Sequence, residues 1–289
     1  MKRYESSAAI ILLVLSVMAR QAYGAQPPAE ALGWQLAIHS YTFQKFSIFD
    51  AIDKTAALGL KYMSISGGVS LDGKARTETT SLTPADQEAI QKRLAAVGIV
   101  KLVNMGVVKL TADETQSRTV FAFARKMGID TLVSEPEPEA MDTVEKLCKE
   151  FNIKVAIHNH PKPSRYWNPD TVLAAVKGRS PLLGACADTG HWIRSGLDPL
   201  ECVKKLEGRV ITLHFKDLAE NDPKSHDVPW GTGVGKSKAL LEELKRQKFK
   251  GAFCVEYEHN WENSSPEIAE CVKFFNATCA ELAAGPSTK

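Results

Sequence analysis

The sequence predicts an α/β protein built as a closed barrel of eight parallel strands, each followed by a helix, in a single domain. Three observations carry that prediction. Strand-like and helix-like stretches alternate from Trp34 onward and complete eight units, the number that closes a (β/α)8 barrel. Several junctions repeat a glycine between the end of a helix and the next strand, as in Leu58-Gly59-Leu60, Val97-Gly98-Ile99 and Met127-Gly128-Ile129, where glycine suits a helix C-cap of positive φ. Four late apolar runs each finish in histidine or carboxylate, which gathers reactive side chains at strand ends.

Taken in order, residues 1–24 combine the basic Lys2 and Arg3, an apolar run from Ala8 to Ala19 and the small-x-small Ala22-Tyr23-Gly24, the pattern of a secretory signal peptide. The run is shorter than the ~20 apolar residues a spanning helix needs. The mature chain is therefore expected to be exported, periplasmic or secreted, with no membrane span after cleavage. Its acidic and basic residues then balance, and no basic run is present, which argues against a nucleic-acid partner. Residues 25–33 read as a Pro-containing linker, and residues 34–285 as the barrel domain. Strands are expected at 34–41, 62–66, 100–104, 131–134, 155–158, 182–188, 210–214 and 252–258, with helices between them and after the last. Thr83-Pro84-Ala85-Asp86 has the form of an N-cap followed by proline in the first turn. Val120, Phe121, Ala124 and Met127 mark one buried helix face. No disulfide framework is expected from the cysteines: Cys186 and Cys254 face the barrel interior on separate strands, and Cys271 and Cys279 are separated by a helical rise of ~12 Å.

The chemistry concentrates in four runs: Val155-Ala156-Ile157-His158, Gly184-Ala185-Cys186-Ala187-Asp188, Ile211-Thr212-Leu213-His214 and Phe253-Cys254-Val255-Glu256. Side chains two apart on a strand share a face, so the small Ala156, Cys186, Thr212 and Cys254 lie directly below His158, Asp188, His214 and Glu256. On neighbouring parallel strands these four form one ring, with His160, Lys216 and Glu258 in a second ring above. Two imidazoles and two carboxylates suit one divalent ion, Mn, Zn or Fe, and suit Mg less well. Glu135, at the end of the fourth strand, is a substitute ligand or an exposed acid. His191, three residues after Asp188, is either a proton-transfer group or a partner that orients a ligand. The connection 217–235, with Gly231-Thr-Gly233-Val-Gly235, has the form of a lid, a substrate-binding loop, a phosphate cradle or a plain turn.

Asp188-Thr-Gly-His191, Leu213-His214-Phe-Lys216-Asp217, Val228-Pro-Trp-Gly-Thr-Gly233 and Val255-Glu256-Tyr257 resemble the sugar phosphate isomerase/epimerase superfamily, the xylose isomerase-like TIM barrels that include family-2 apurinic endonucleases, ketose 3-epimerases and 3-dehydroshikimate dehydratases. The resemblance covers nearly all of the mature chain and implies Asp188, His214 and Glu256 as metal ligands. It departs at the fifth strand, where His158 replaces the usual glutamate that serves the epimerases as ligand and base. His160 and Lys216 match a dehydratase-like pattern instead. Endonuclease chemistry is disfavoured, because residues 64–67 and 102–105 lack the additional histidines.

The expected function is a divalent-metal-dependent sugar isomerase or epimerase acting by proton abstraction next to a carbonyl of a keto-sugar or glycoside, a small-molecule substrate. The metal polarises the carbonyl, and Glu256, His160, Lys216 and His191 are the catalytic candidates, with a buried Lys216 expected at a lowered pKa. His39, Trp230 and Glu258 are expected to contact substrate. One alternative is a lyase or dehydratase that eliminates from the same keto-sugar. Another is a non-catalytic secreted sugar-binding barrel with a structural metal, in which Trp167, Trp192, Trp230 and Trp261 act as stacking platforms at the rim.

Overall fold

The structure, a computed structural model, describes residues 26–285, so the expected signal peptide lies outside the described residues. Eight parallel strands close a barrel: β1 (Trp34–His39), β2 (Tyr62–Ser66), β3 (Lys101–Val108), β4 (Thr131–Ser134), β5 (Lys154–His158), β6 (Leu183–Asp188), β7 (Val210–Phe215) and β8 (Gly251–Val255). Each strand pairs with the next in sequence and β8 returns to β1, where Trp34 pairs with Gly251 and Ile38 with Val255. Helices cover the outside in one layer, and the expected fold class holds throughout.

Local chemistry explains the element ends. Gly59, Gly98 and Gly128 take φ of +76°, +82° and +72° just beyond their helices, a backbone that only glycine adopts without strain. Thr83 caps the helix Pro84–Ala96 through a reciprocal box with Asp86, and Ser47 with Asp50 repeats the device on Ile48–Ala57. Val120, Phe121, Ala124 and Met127 are buried together as expected. β3 runs four residues past its expected end, and β8 stops at Val255 short of its expected end. β8 stops because β7 and β1 offer it no ladder partner higher up; Tyr257 instead donates its backbone N–H to Thr42 Oγ1 at 2.9 Å. The stretch expected as a linker contains a short helix, Pro28–Leu32, ended by Gly33 at φ +80°. Ala29 on it is buried, so this segment packs on the barrel rather than trailing from it.

The main apolar core lies between the strands and the helical layer, where Trp34, Phe215, Phe253 and Phe275 pack around one another. The barrel interior is narrower and holds small side chains: Ala37, Val103, Ala252 and Cys254 on one side, Val133, Ala156 and Cys186 on the other. All six cysteines are free and buried. No helix among the described residues is long and apolar enough to cross a membrane.

Candidate metal centre

His158, Asp188, His214 and Glu256 each present one ligand atom within 4.8 Å of the others, at the C-terminal ends of β5, β6 and β7 and just beyond β8. They are not level in the hydrogen-bond ladder. Asp188 pairs with His214, but His158 pairs with Cys186 and His214 with Cys254. Barrel strands tilt and stagger, so a ring around the axis climbs the ladder as it passes from strand to strand. Ala156, Cys186, Thr212 and Cys254 are all buried beneath it, and their small volume leaves the ring room.

Asp188 and His158 are held from behind. Asp188 caps the helix Thr189–Arg194, its Oδ1 accepting the His191 N–H at 2.8 Å, which leaves Oδ2 for the ring. The Asn159 amide brackets the Asp188 backbone, donating to its carbonyl at 2.9 Å and accepting its N–H at 2.8 Å. His158 meets Glu135 Oε1 through Nδ1 at 3.1 Å, so Nε2 faces Asp188 Oδ2 across 3.6 Å with no hydrogen bond between them. His158 Nε2, Asp188 Oδ2 and both ring nitrogens of His214 are buried without a hydrogen-bond partner; His214 Nδ1 lies 3.0 Å from Glu256 Oε2 but off the direction a hydrogen bond needs. Buried polar atoms rarely stay unpaired. Orphan atoms on two imidazoles and the Asp188 carboxylate converge with the Glu256 carboxylate into the donor set of a divalent cation, and these residues fit one. Glu135 lies behind the His158 ring, outside this set, and makes a second cluster with His158 and His160.

Lys216 neutralises the acids. Its Nζ lies 3.1 Å from Asp188 Oδ2, 2.9 Å from Glu256 Oε2 and 2.8 Å from Glu258 Oε2, and its side chain is fully buried. Burial alone would lower its pKa, but the carboxylates of Asp188, Glu256 and Glu258 outweigh burial and raise it well above 10.5, so the expected lowering is corrected. Burial likewise opposes ionisation of Asp188 and Glu256, yet the surrounding cations hold both well below the usual carboxylate range. Burial lowers the His158 pKa, but Asp188 and Glu135 carry it up to about 9. His191 is pushed well below 6.5, chiefly by burial.

The second ring assembles in part. Glu258 Oε2 accepts from Lys216 and, at 2.9 Å, from Arg194, which also reaches Asp227 Oδ2 at 3.1 Å and His191 Nδ1 at 3.2 Å. His160 stands at the mouth, its side chain 48% exposed and its Nδ1 held by Glu135 at 2.5 Å. His191 Nε2 lies 3.6 Å from Asp188 Oδ2, and its ring sits beside those of His158 and His160 at 5.6 and 5.3 Å. His39 enters from β1, its Nε2 3.5 Å from Glu256 Oε1.

Trp230 is not a substrate contact. It is 2% exposed and packs edge-on against Phe215 outside the barrel wall, because Phe215 follows the inward His214 and points the other way. Trp192 is buried as well, whereas Trp167 and Trp261 stay half-exposed, the first under Lys162 and the second against Tyr41. The Gly231–Gly235 run is not an open cradle either. The N–H groups of Gly231, Gly233 and Gly235 and the Ser237 hydroxyl all donate to the Asp217 carboxylate at 2.7 to 3.2 Å, so the loop wraps an anion of its own chain. Asp217 is thereby engaged in the loop and not with Lys216.

Ser64, Asn104, Asn159, Arg194 and Asp227 were not legible as site residues. The first three are neutral groups whose partners lie far away in sequence. Arg194 followed the Asp188-Thr-Gly-His191 motif and was the one with a signal available.

A family model described as xylose isomerase-like TIM barrel matches residues 52–277. A 3-oxo-isoapionate decarboxylase of Pectobacterium atrosepticum is 29% identical over 147 residues, 48% of this chain and 52% of the relative. An inosose dehydratase of Clostridium tetani is 25% identical over 144 residues, 44% of this chain and 48% of the relative. The chain thus spans about half the length of these curated relatives. A protein of known structure from Parabacteroides distasonis is 33% identical with a TM-score of 0.67, covering 84% of this chain and 98% of its own. The family match follows the barrel from its first helix into its last, and the chain belongs to the xylose isomerase-like TIM barrel family.

Proposed function

We propose that this chain is an exported, divalent-metal-dependent enzyme that removes a proton next to the carbonyl of a non-phosphorylated keto-sugar or glycoside. The observation that carries the reading is the ring of His158, Asp188, His214 and Glu256, in which buried, unpartnered atoms of the first three converge near the exposed His160. When bound, a divalent ion supplies a Lewis acid for a carbonyl or diol oxygen. His160 is the base: Glu135 engages its Nδ1 and its exposure brings the ring to incoming substrate. Lys216, kept charged by three carboxylates, is a proton donor and not a base. Glu256 positions substrate and ion together, beside His39.

Elimination is the favoured outcome, in preference to isomerisation or epimerisation. Epimerisation needs a second proton carrier facing the substrate from the other side, and at the fifth strand this ring has His158, engaged by Glu135 on one nitrogen and aimed at Asp188 with the other. The dehydratase name of one curated relative supports the same preference. The absence of a free glycine cradle supports a neutral substrate, since Asp217 takes the loop's N–H groups.

The test is a panel of keto-sugars, keto-glycosides and their phosphates, incubated with metal-loaded protein and followed by mass and by deuterium uptake from D2O. Loss of water from a neutral member is expected. Epimers or isomers of unchanged mass would restore the isomerase reading. A preference for phosphates would count against both substrate and export, and no turnover of any member would favour the sugar-binding alternative.

A further inference from the structure

A polar chain crosses the barrel beneath the ring, and its hydrogen-bond directions can be read from one end. Thr212 Oγ1 donates to the Ala252 carbonyl at 3.0 Å, an acceptor that admits no ambiguity. The Thr212 oxygen must then accept from Asn104, which turns the Asn104 NH2 group toward it at 3.0 Å, with Cys254 Sγ as second partner at 3.3 Å. That orientation aims Asn104 Oδ1 at Ser64, so the Ser64 hydroxyl donates to it. With its proton committed, Ser64 Oγ can only accept from His39 Nδ1, at 2.7 Å. The proton of His39 therefore sits on Nδ1.

The consequence falls at the ring. His39 is 2% exposed, and its Nε2 has no hydrogen bond among the described residues. Nε2 bears a lone pair and stands 3.5 Å from Glu256 Oε1, itself an acceptor. Two facing acceptors are satisfied by a group that brings a proton between them or beside them. A hydroxyl does so, whereas a phosphate or carboxylate oxygen brings a third lone pair.

We infer that His39 is a specificity-determining residue whose Nε2 accepts a hydrogen bond from a neutral substrate hydroxyl, and that Ser64 and Asn104 are positioning residues that fix its tautomer. The inference rests on the proposed sugar chemistry for the identity of the ligand, but the tautomer follows from the hydrogen-bond chain alone. Ser64 and Asn104 are adjacent in the β2–β3 ladder, and His39 pairs with Ser64 across β1–β2, so three successive strands contribute one residue each at one level.

Nitrogen-15 spectroscopy of histidine-labelled protein tests it. In metal-free wild type, the His39 proton is expected on Nδ1 with an unprotonated Nε2. Ser64→Ala is expected to release the tautomer and move the proton to Nε2. Adding xylitol, a neutral polyol, to zinc-loaded wild type is expected to shift the Nε2 resonance toward that of a hydrogen-bonded acceptor, while inorganic phosphate leaves it in place. Ser64→Ala is expected to weaken xylitol binding roughly tenfold, the effect of losing one hydrogen bond. A proton on Nε2 in the wild type, or an Nε2 resonance that xylitol leaves unmoved, overturns the inference. The tautomer is read without metal, so failure of the protein to hold zinc would count against the ring and leave this assignment decided on its own measurement.

Discussion

At the residue scale the centre depends on opposing charges held out of water. Removing one member of such a set leaves the others uncompensated. Asp188→Ala and His214→Ala are expected to abolish retention of a divalent ion while circular dichroism still reports a folded barrel; a full equivalent of metal in both variants would dismiss the ring. Lys216→Met and His160→Ala should keep the metal and lower turnover by about 10²–10⁴-fold, the usual contribution of one proton-transfer group. Wild-type rates in both would move the chemistry to His191. The metal-free protein should also have a stability optimum near pH 6.5. Buried His39 has its pKa lowered from 6.5 to about 3, so its contribution is full above 6.5 and declines as pH falls toward 3. His158, raised from 6.5 to about 9, contributes fully below 6.5 and loses its contribution as pH rises through 9. Thermal melts of the metal-free protein across that range check both limbs, and a flat profile would refute the charge states assigned here. The ring residues were legible because period two puts His158, Asp188, His214 and Glu256 on the inward face, each two residues above a small one. The Lys216 pKa was misjudged because its sign depends on how many carboxylates surround it, and Glu258 approaches only in the folded barrel.

At the element scale the connection after β7 is held by one buried carboxylate. Asp217→Ala removes the acceptor of four backbone N–H groups and a hydroxyl, and a cost of about 2–3 kcal/mol is expected from leaving such donors unsatisfied. The damage should be local: hydrogen exchange and limited proteolysis should accelerate between Asp217 and Ser237 before the barrel melts. Unchanged protection there would show that the loop is held by its apolar contacts. Gly233 admits no side chain, since a Cβ would stand 2.2 Å from the Leu218 carbonyl oxygen and 2.5 Å from Asp217 Oδ1. The glycines read equally well as a cradle for an external anion, and sequence spacing has no way to say that the anion is Asp217. Helix starts and stops, by contrast, were legible at Thr83 and Gly59, because a cap is a contact between residues a few positions apart.

For the whole molecule, metal binding and folding should be linked, because four strands meet only in the closed barrel. Excess zinc at about 1,000 times its dissociation constant contributes roughly 4 kcal/mol. For a domain of this size that is a rise of roughly 10 °C in unfolding midpoint. Asp188→Ala should show no rise, and an equal rise in that variant would place the ion elsewhere. The closed barrel itself was determined by the sequence: eight alternating units, glycine-ended helices and inward small residues are local signals that leave one architecture for parallel strands. So was the membership of the ring, since each ligand sits at the end of its own strand. Only the tertiary structure decided which face Trp230 takes, where Glu135 stands relative to His158, and that Ser64, Asn104 and Thr212 join into one directed chain. Those depend on contacts between residues far apart in sequence, whose distances are set by barrel tilt and stagger and by no property of the residues themselves.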